Sequence, residues 1–201
     1  MTDELLLRRA KSGDTAAFEQ LAAPCEAMVW RVCVRILRHE EDARDAVQDA
    51  MLAAWQKLST FDGQSSFSTW VCAIAVHRCQ DLLRRQKVRQ AESLENMREG
   101  GYEPADTDPG PSERLEAKER RERVRRALLQ LPEDQRVPLI LFCMEGKRYE
   151  EIAEITGVPI GTVKSRVSRA RDRLRELVRE DASGNISPFP ASKESKGGRV
   201  G

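Results

Sequence analysis

The chain is short of aromatic residues, of histidine and of long apolar runs, and each shortage excludes something. Only 5% of its 201 residues are Phe, Trp or Tyr, and strict apolar–polar alternation is missing, which argues for helices rather than sheets. No apolar stretch approaches the ~20 residues of a membrane span. The start, Met1-Thr-Asp-Glu-Leu-Leu-Leu-Arg-Arg9, sets its charges around three leucines and does not read as a signal peptide. Membrane insertion is therefore not expected, and the cytoplasm is. The two histidines, His39 and His77, have no catalytic constellation around them, so neither an enzyme nor a cofactor is expected.

Net charge is also small, at +1, so the chain is no generic polycation. Its charges are segregated instead. Between Arg78 and Arg89, five bases (Arg78, Arg84, Arg85, Lys87, Arg89) meet one acid, Asp81. From Glu92 to Glu113, seven acids meet one base, Arg98. The five cysteines (Cys25, Cys33, Cys72, Cys79, Cys143) are odd in number. In the cytoplasm they read as buried thiols rather than disulfides. Cys25/Cys33 and Cys72/Cys79 have core spacing on their helices. Cys72, His77 and Cys79 lack a nearby fourth ligand and do not converge on one helix, so no metal is expected.

What is present is helical periodicity. Asp14 is placed to cap a helix running to about Arg38, with Pro24 a candidate kink or break. After a polar break at His39–Asp42, the apolar face Ala43, Val47, Ala50, Met51, Ala54, Trp55 and Leu58 leaves Asp42, Asp45, Gln48 and Asp49 on an exposed acidic edge. Turn chemistry at Asp62-Gly63 leads to Ser66, a cap for a helix from Phe67 or Ser68 to about Lys87. Its expected apolar members are Trp70, Val71, Ile74, Ala75, Leu82 and Leu83. Trp55, Phe67 and Trp70 could stack on unpaired bases, but their helical spacing favours the core for Trp55 and Trp70. Periodicity fails from about Gln90 to Glu113, where Gly and Pro punctuate the acids and predict a flexible linker. Pro132-Glu-Asp suits a helix's first turn.

Tyr149–Arg171 reads as a short helix, a turn at Gly157 and a second helix. Val163, Val167, Ala170, Leu174 and Leu177 recur at steps of four and three as its inward stripe. Thr162, Lys164, Ser165, Arg166, Arg169, Arg171 and Arg173 should then lie mostly outside it. A helix-turn-helix presents such a second helix to the major groove, early side chains at base edges and later Arg or Lys on phosphates. The competing reading is a helical hairpin with a merely solvated basic face. Past about Asp181 no core pattern remains.

The expected fold is thus all-α: two small helical domains, at 1–90 and 114–181, joined by an acidic linker at 91–113 and followed by a disordered tail at 182–201. The second domain contains the helix-turn-helix.

Four stretches in order carry a resemblance to the extracytoplasmic-function (ECF) group of bacterial RNA polymerase sigma factors, over roughly residues 5–178. Asp42-Ala-Arg-Asp-Ala-Val-Gln-Asp-Ala-Met-Leu-Ala-Ala-Trp55 is similar to their region 2.2, which docks on the polymerase's largest subunit. Phe67-Ser-Thr-Trp70 through Asp81-Leu-Leu-Arg-Arg85 is similar to regions 2.3 and 2.4, which open and read the −10 element. Leu128-Leu-Gln-Leu-Pro132-Glu-Asp-Gln-Arg136 resembles the start of region 4. Gly161-Thr-Val-Lys-Ser-Arg166-Val-Ser-Arg-Ala-Arg171 resembles its −35 recognition helix.

The resemblance implies three partners: core RNA polymerase at Asp42, Asp45, Gln48 and Asp49, promoter DNA, and an anti-sigma protein. It places −35 contacts at Thr162, Lys164, Ser165, Arg166, Arg169 and Arg173. It places a flipped-base pocket at Asp62, Gly63, Gln64, Ser65 and Ser66, with His77, Arg78, Arg84 and Arg85 along the following helix. Two positions depart from the family pattern. His77 stands where members usually carry asparagine, and Ala46-Val47 replaces a typical Leu-Val. The alternative is a stand-alone helix-turn-helix regulator, for which the acidic docking helix and basic opening helix of the first half would have no use.

Overall fold

A computed structural model describes the backbone of residues 3–37, 39–92 and 111–180 and the side chains of 3–37, 39–88 and 119–179. Eight α-helices run as α1 (Asp3–Lys11), α2 (Thr15–Ile36), α3 (Glu40–Gln56), α4 (Phe67–Glu92), α5 (Pro111–Gln130), α6 (Glu133–Cys143), α7 (Tyr149–Thr156) and α8 (Ile160–Glu180), with one 3₁₀ turn at Leu58–Thr60. There is no strand among the described residues. The central part of the expected linker, 93–110, and the tail past Asp181 lie outside them. Helix α4, expected to end at about Lys87, runs on to Glu92, while α5 begins at Pro111, beside the Ser112 at which helical character resumes in the sequence.

Helix starts and stops follow local chemistry. Asp14 caps α2 by accepting from the Ala17 amide at 3.0 Å, and its carboxyl is held below the usual range by that bond and by Arg9. Pro24 does not break α2, which is continuous from Thr15 to Ile36. The neighbouring Leu21, Ala22 and Cys25 are all buried, so packing outweighs the one hydrogen bond that proline forfeits. The break at His39–Asp42 proves shorter than its polarity suggested, since α3 begins at Glu40. Pro132 stands just before α6, as its cap, instead of inside the first turn.

In the first half, α2, α3 and α4 pack on one another, with α1 against α2. Small side chains (Ala43, Ala46, Ala50, Ala53 and Ala54, all buried) let α3 approach closely. On α4 the buried set is Val71, Cys72, Ala75, Val76 and Cys79, whereas Trp70, Ile74, Leu82 and Leu83 are half-buried. This shifts the expected face, because α4 also packs on α7 and so has neighbours over a wide arc. All five cysteines are free, and four are buried. Burial pushes the Cys72 thiol up to about 12. A hydrogen bond with Cys33, together with burial, raises Cys79 too, so these remain neutral core thiols. His77, between Cys72 and Cys79 on α4, is exposed and turned away from them.

In the second half, α6 and α8 form the main pair, with α5 and α7 packed beside them. Val163, Val167, Ala170, Leu174 and Leu177 are buried as the period required, each large member contributing about 2 kcal/mol. Arg136 of α6 is buried and donates to the Leu129 carbonyl near the end of α5 at 3.3 Å, a cation at a helix C-terminus. The two halves are in contact, through α4 with α7 and α2 with α6.

Candidate nucleic-acid and polymerase-docking interfaces

The helix-turn-helix is built from α7, a turn and α8. Gly157 ends α7 at φ 67°, a left-handed conformation that suits glycine. Its amide donates to the Ala153 carbonyl at 2.9 Å, and Val158 packs half-buried against the core inside the turn. On α8, Lys164, Ser165, Arg169 and Arg173 are exposed and Thr162 is half-buried. Several are pre-arranged by neighbours. Lys164 Nζ lies 5.8 Å from the centre of the Tyr149 ring, which stacks on Phe142 at 4.7 Å. Arg169 Nε donates to the Ser165 carbonyl at 3.3 Å, and Arg173 pairs with Glu176 at 3.1 Å. Arg166 departs from the expected outward position: it is half-buried and pairs with Asp134 of α6 at 3.4 Å.

In the first half, the loop before α4 has Asp62, Gly63, Gln64 and Ser66 exposed and Ser65 half-buried. Asp62 Oδ1 accepts from the Gln64 amide at 3.1 Å, an Asx turn with Gly63 at φ 78°. Lys11 Nζ anchors the loop's base on the Phe61 carbonyl at 2.6 Å. Ser66 caps α4, accepting from the Thr69 amide at 3.1 Å. Phe61, Phe67 and Trp70 form an aromatic cluster below the loop with centroids 5.2–5.9 Å apart, and Phe18 joins Trp55 to it. These rings serve the core while staying half-buried, apart from Phe18 and Phe61, which are buried. His77, Arg84 and Arg85 are exposed and Arg78 half-buried. They lie along α4 at ~1.5 Å per residue, so the candidate set is a stripe rather than one pocket.

On α3, Asp45, Gln48 and Asp49 are exposed. Asp42 is not free on that edge: its Oδ2 accepts from Gln86 of α4 at 2.8 Å. Leu52, 54% exposed, continues the edge one turn beyond Gln48 and Asp49. That leucine was detectable in the sequence, since it lies on the acidic side and off the apolar stripe.

The chain's similarities agree with this layout. Residues 21–89 match the family described as Sigma-70 region 2, and residues 121–174 the family described as Sigma-70, region 4. The ECF RNA polymerase sigma factor SigM of Mycobacterium tuberculosis is 37% identical over 177 residues, covering 88% of this chain and 85% of that protein. The ECF RNA polymerase sigma-E factor of Escherichia coli is 34% identical over 184 residues, covering 89% and 95%. The chain belongs to the ECF sigma factors. Two solved structures share its fold. Bartonella quintana RpoE in complex with the anti-sigma factor NepR has a TM-score of 0.68 and 30% identity over 82% of this chain and 98% of that one. CnrH in complex with the cytosolic domain of CnrY has a TM-score of 0.66 and 27% identity over 90% and 99%. Sigma factors are non-enzymatic transcription initiation factors, and no helix among the described residues of this one is long and apolar enough to cross a membrane.

One group in this sigma factor had no signal in the sequence. Glu145, between α6 and α7, has a side chain only 2% exposed and pairs with Arg31 at 2.8 Å and Arg35 at 2.5 Å, both on α2. The Glu145 hydrogen bond raises Arg31 above the usual guanidinium range. Glu151 of α7 accepts from Thr69 of α4 at 3.1 Å and from Lys147 at 3.0 Å. Burial alone would raise the Glu151 carboxyl, but the Arg148 amide, Lys147 and Thr69 together hold it down at about 2.

Proposed function

We infer that the chain is an alternative sigma factor that acts in the cytoplasm, binds core RNA polymerase and directs it to a restricted set of promoters. The observation that carries this reading is the coexistence of two unlike exposed surfaces. One is the acidic edge Asp45, Gln48 and Asp49 with Leu52, whose charge repels DNA and suits a basic protein partner. The other is the donor face of α8 on a helix-turn-helix, with the α4 stripe as a second cationic surface.

In this reading the residues divide by chemistry. Thr162, Lys164, Ser165, Arg166 and Arg169 approach base edges of the −35 duplex, and Arg173 a phosphate. Arg78, Arg84 and Arg85 neutralise backbone phosphates beside the −10 element. The loop Asp62–Ser66 offers small hydrogen-bonding groups to a base turned out of the stack, which offsets part of the cost of melting. His77 replaces the usual asparagine on that surface, so the preferred base follows from an imidazole rather than an amide. An anti-sigma protein is a further partner in this reading, as NepR is for Bartonella quintana RpoE. Run-off transcription with core polymerase and genomic fragments tests it. Discrete transcripts that require both proteins are expected. Promoter binding by the chain alone, with no polymerase-dependent transcript, would make it a stand-alone regulator.

A further inference from the structure

One acid at the start of α3 is held by another helix. Asp42 is the third residue of α3, a position from which a side chain can reach back to the amide of the helix cap. His39 stands at that cap and supplies no side-chain bond of its own. Asp42 nevertheless turns to α4, where its Oδ2 accepts from Gln86 Nε2 at 2.8 Å across 44 residues of chain. A carboxylate only accepts, so the amide nitrogen is the group that faces it.

The neutrality of that donor matters as much as the bond. Helix α4 is basic around Gln86, yet Arg84 goes to Asp81 at 3.1 Å and Lys87 to Glu133 at 3.8 Å. Within α3, Arg44 is taken by Glu40 at 2.5 Å. A lysine or arginine in place of Gln86 would fix the Asp42 carboxylate and cancel its charge; the glutamine fixes it and leaves the charge in place. The bond uses one of about four lone-pair sites on the two oxygens. Asp42 is only half-buried, so the remaining sites stay open to a cation. Nor is the bond needed to join the helices. They pack on one another with Ala43, Ala46 and Ala50 of α3 buried, and one half-buried bond adds little to that.

We propose that Gln86 is a positioning residue for polymerase docking: it holds the Asp42 carboxylate in place, still charged, and so adds it to the edge formed by Asp45, Gln48, Asp49 and Leu52. This rests on the reading above, in which that edge takes a basic surface of core polymerase. Asp42 lies three residues before Asp45, and Asp45 four before Asp49, so the acids follow one another along one face of α3. A basic side chain of the polymerase meets a carboxylate that is already ordered, and less side-chain freedom is lost on docking.

The test measures the dissociation constant of the full chain with purified core polymerase beside its thermal unfolding midpoint. Gln86→Leu removes the donor and should weaken association roughly fivefold, less than the full worth of a bond to a charged group because only preorganisation is lost. Gln86→Arg keeps a donor but adds a counter-charge. It should leave the unfolding midpoint unchanged or raised and still weaken association, which a merely structural bond would not do. In an Asp42→Ala background, Gln86→Leu should have no further effect. Wild-type association of Gln86→Leu, or an equal loss with and without Asp42, would overturn the proposal while leaving the sigma-factor reading intact. A loss of association that tracks the unfolding midpoint across the variants would overturn it too. Failure of the wild-type chain itself to associate with core polymerase would instead overturn the reading on which the proposal rests, and the proposal with it.

Discussion

Arg166 Nε lies 3.4 Å from Asp134 Oδ2, so the arginine proposed to read a base is held by an acid at the start of α6. The pair is partly exposed, at 24% for the arginine and 53% for the aspartate, and such pairs are worth about 0–1 kcal/mol. A bidentate arginine–guanine contact is worth roughly 1–3 kcal/mol, so DNA wins the competition and Asp134 acts as a resting place. Asp134→Asn should tighten holoenzyme binding to the preferred promoter, by up to about fivefold given 1.4 kcal/mol per decade. In an Arg166→Ala background the same change should do nothing. Equal effects in both backgrounds would show that Asp134 acts elsewhere, for instance on the α6 dipole.

The acidic edge of α3 predicts a separate loss. Reversing Asp45 and Asp49 to lysine should weaken assembly with core polymerase at least tenfold while far-UV circular dichroism stays unchanged. Leu52→Ala removes a side chain that is already 54% exposed, so stability should move by no more than about 0.5 kcal/mol. Affinity for the polymerase should nonetheless fall. Wild-type co-purification of both variants with core enzyme would rule the edge out as the docking surface.

Glu151 links the contact between α4 and α7 to pH. Its carboxyl is held near 2 against an ordinary 4.5. Because the folded value is the lower one, its stabilisation is complete above about pH 4.5 and is lost as pH falls towards 2. Its partial contact with water limits the contribution to about 1 kcal/mol. A carbon-detected titration of Glu151 should give a midpoint well below 4.5, and Thr69→Val should raise it. A wild-type midpoint at or above 4.5 would mean that the Thr69–Lys147–Glu151 set does not form in solution.

The helix-turn-helix was legible because its information is local and periodic. Gly157 supplies the left-handed exit, and Val163 through Leu177 mark a 3.6-residue stripe that is buried without exception. The acidic edge was legible for the same reason, except that Gln86 of α4 occupies Asp42. The junction was not, because Arg31 and Glu145 are 114 residues apart and a polar contact at that separation leaves no periodic trace. The α4 core was only partly legible for a related reason. Helix α4 is packed by α2, α3 and α7 together, so Val76 is buried off the expected stripe, whereas Cys72 and Cys79 are buried as their spacing indicated. Arg166 combines both effects: its helical position was right, and its partner lies on another helix.

Base reading and phosphate anchoring on α8 fall to different arginines. Arg166 and Arg169 lie near the helix start, whereas Arg173 is a turn further on, 50% exposed and paired only locally with Glu176. An arginine on a guanine edge discriminates between sequences, while one on a phosphate weakens every sequence alike and lowers the salt slope by about one unit. Arg166→Ala should therefore relax preference at defined positions of the −35 element. Arg173→Ala should lower affinity evenly and flatten the salt dependence. The assay is holoenzyme binding over a panel of single-position promoter variants at several salt concentrations. If Arg166→Ala weakened every variant equally, Arg166 would be a phosphate anchor. Base reading would then pass to Ser165, whose hydroxyl now donates to the Thr162 carbonyl at 2.9 Å, or to Thr162 at the mouth of the turn.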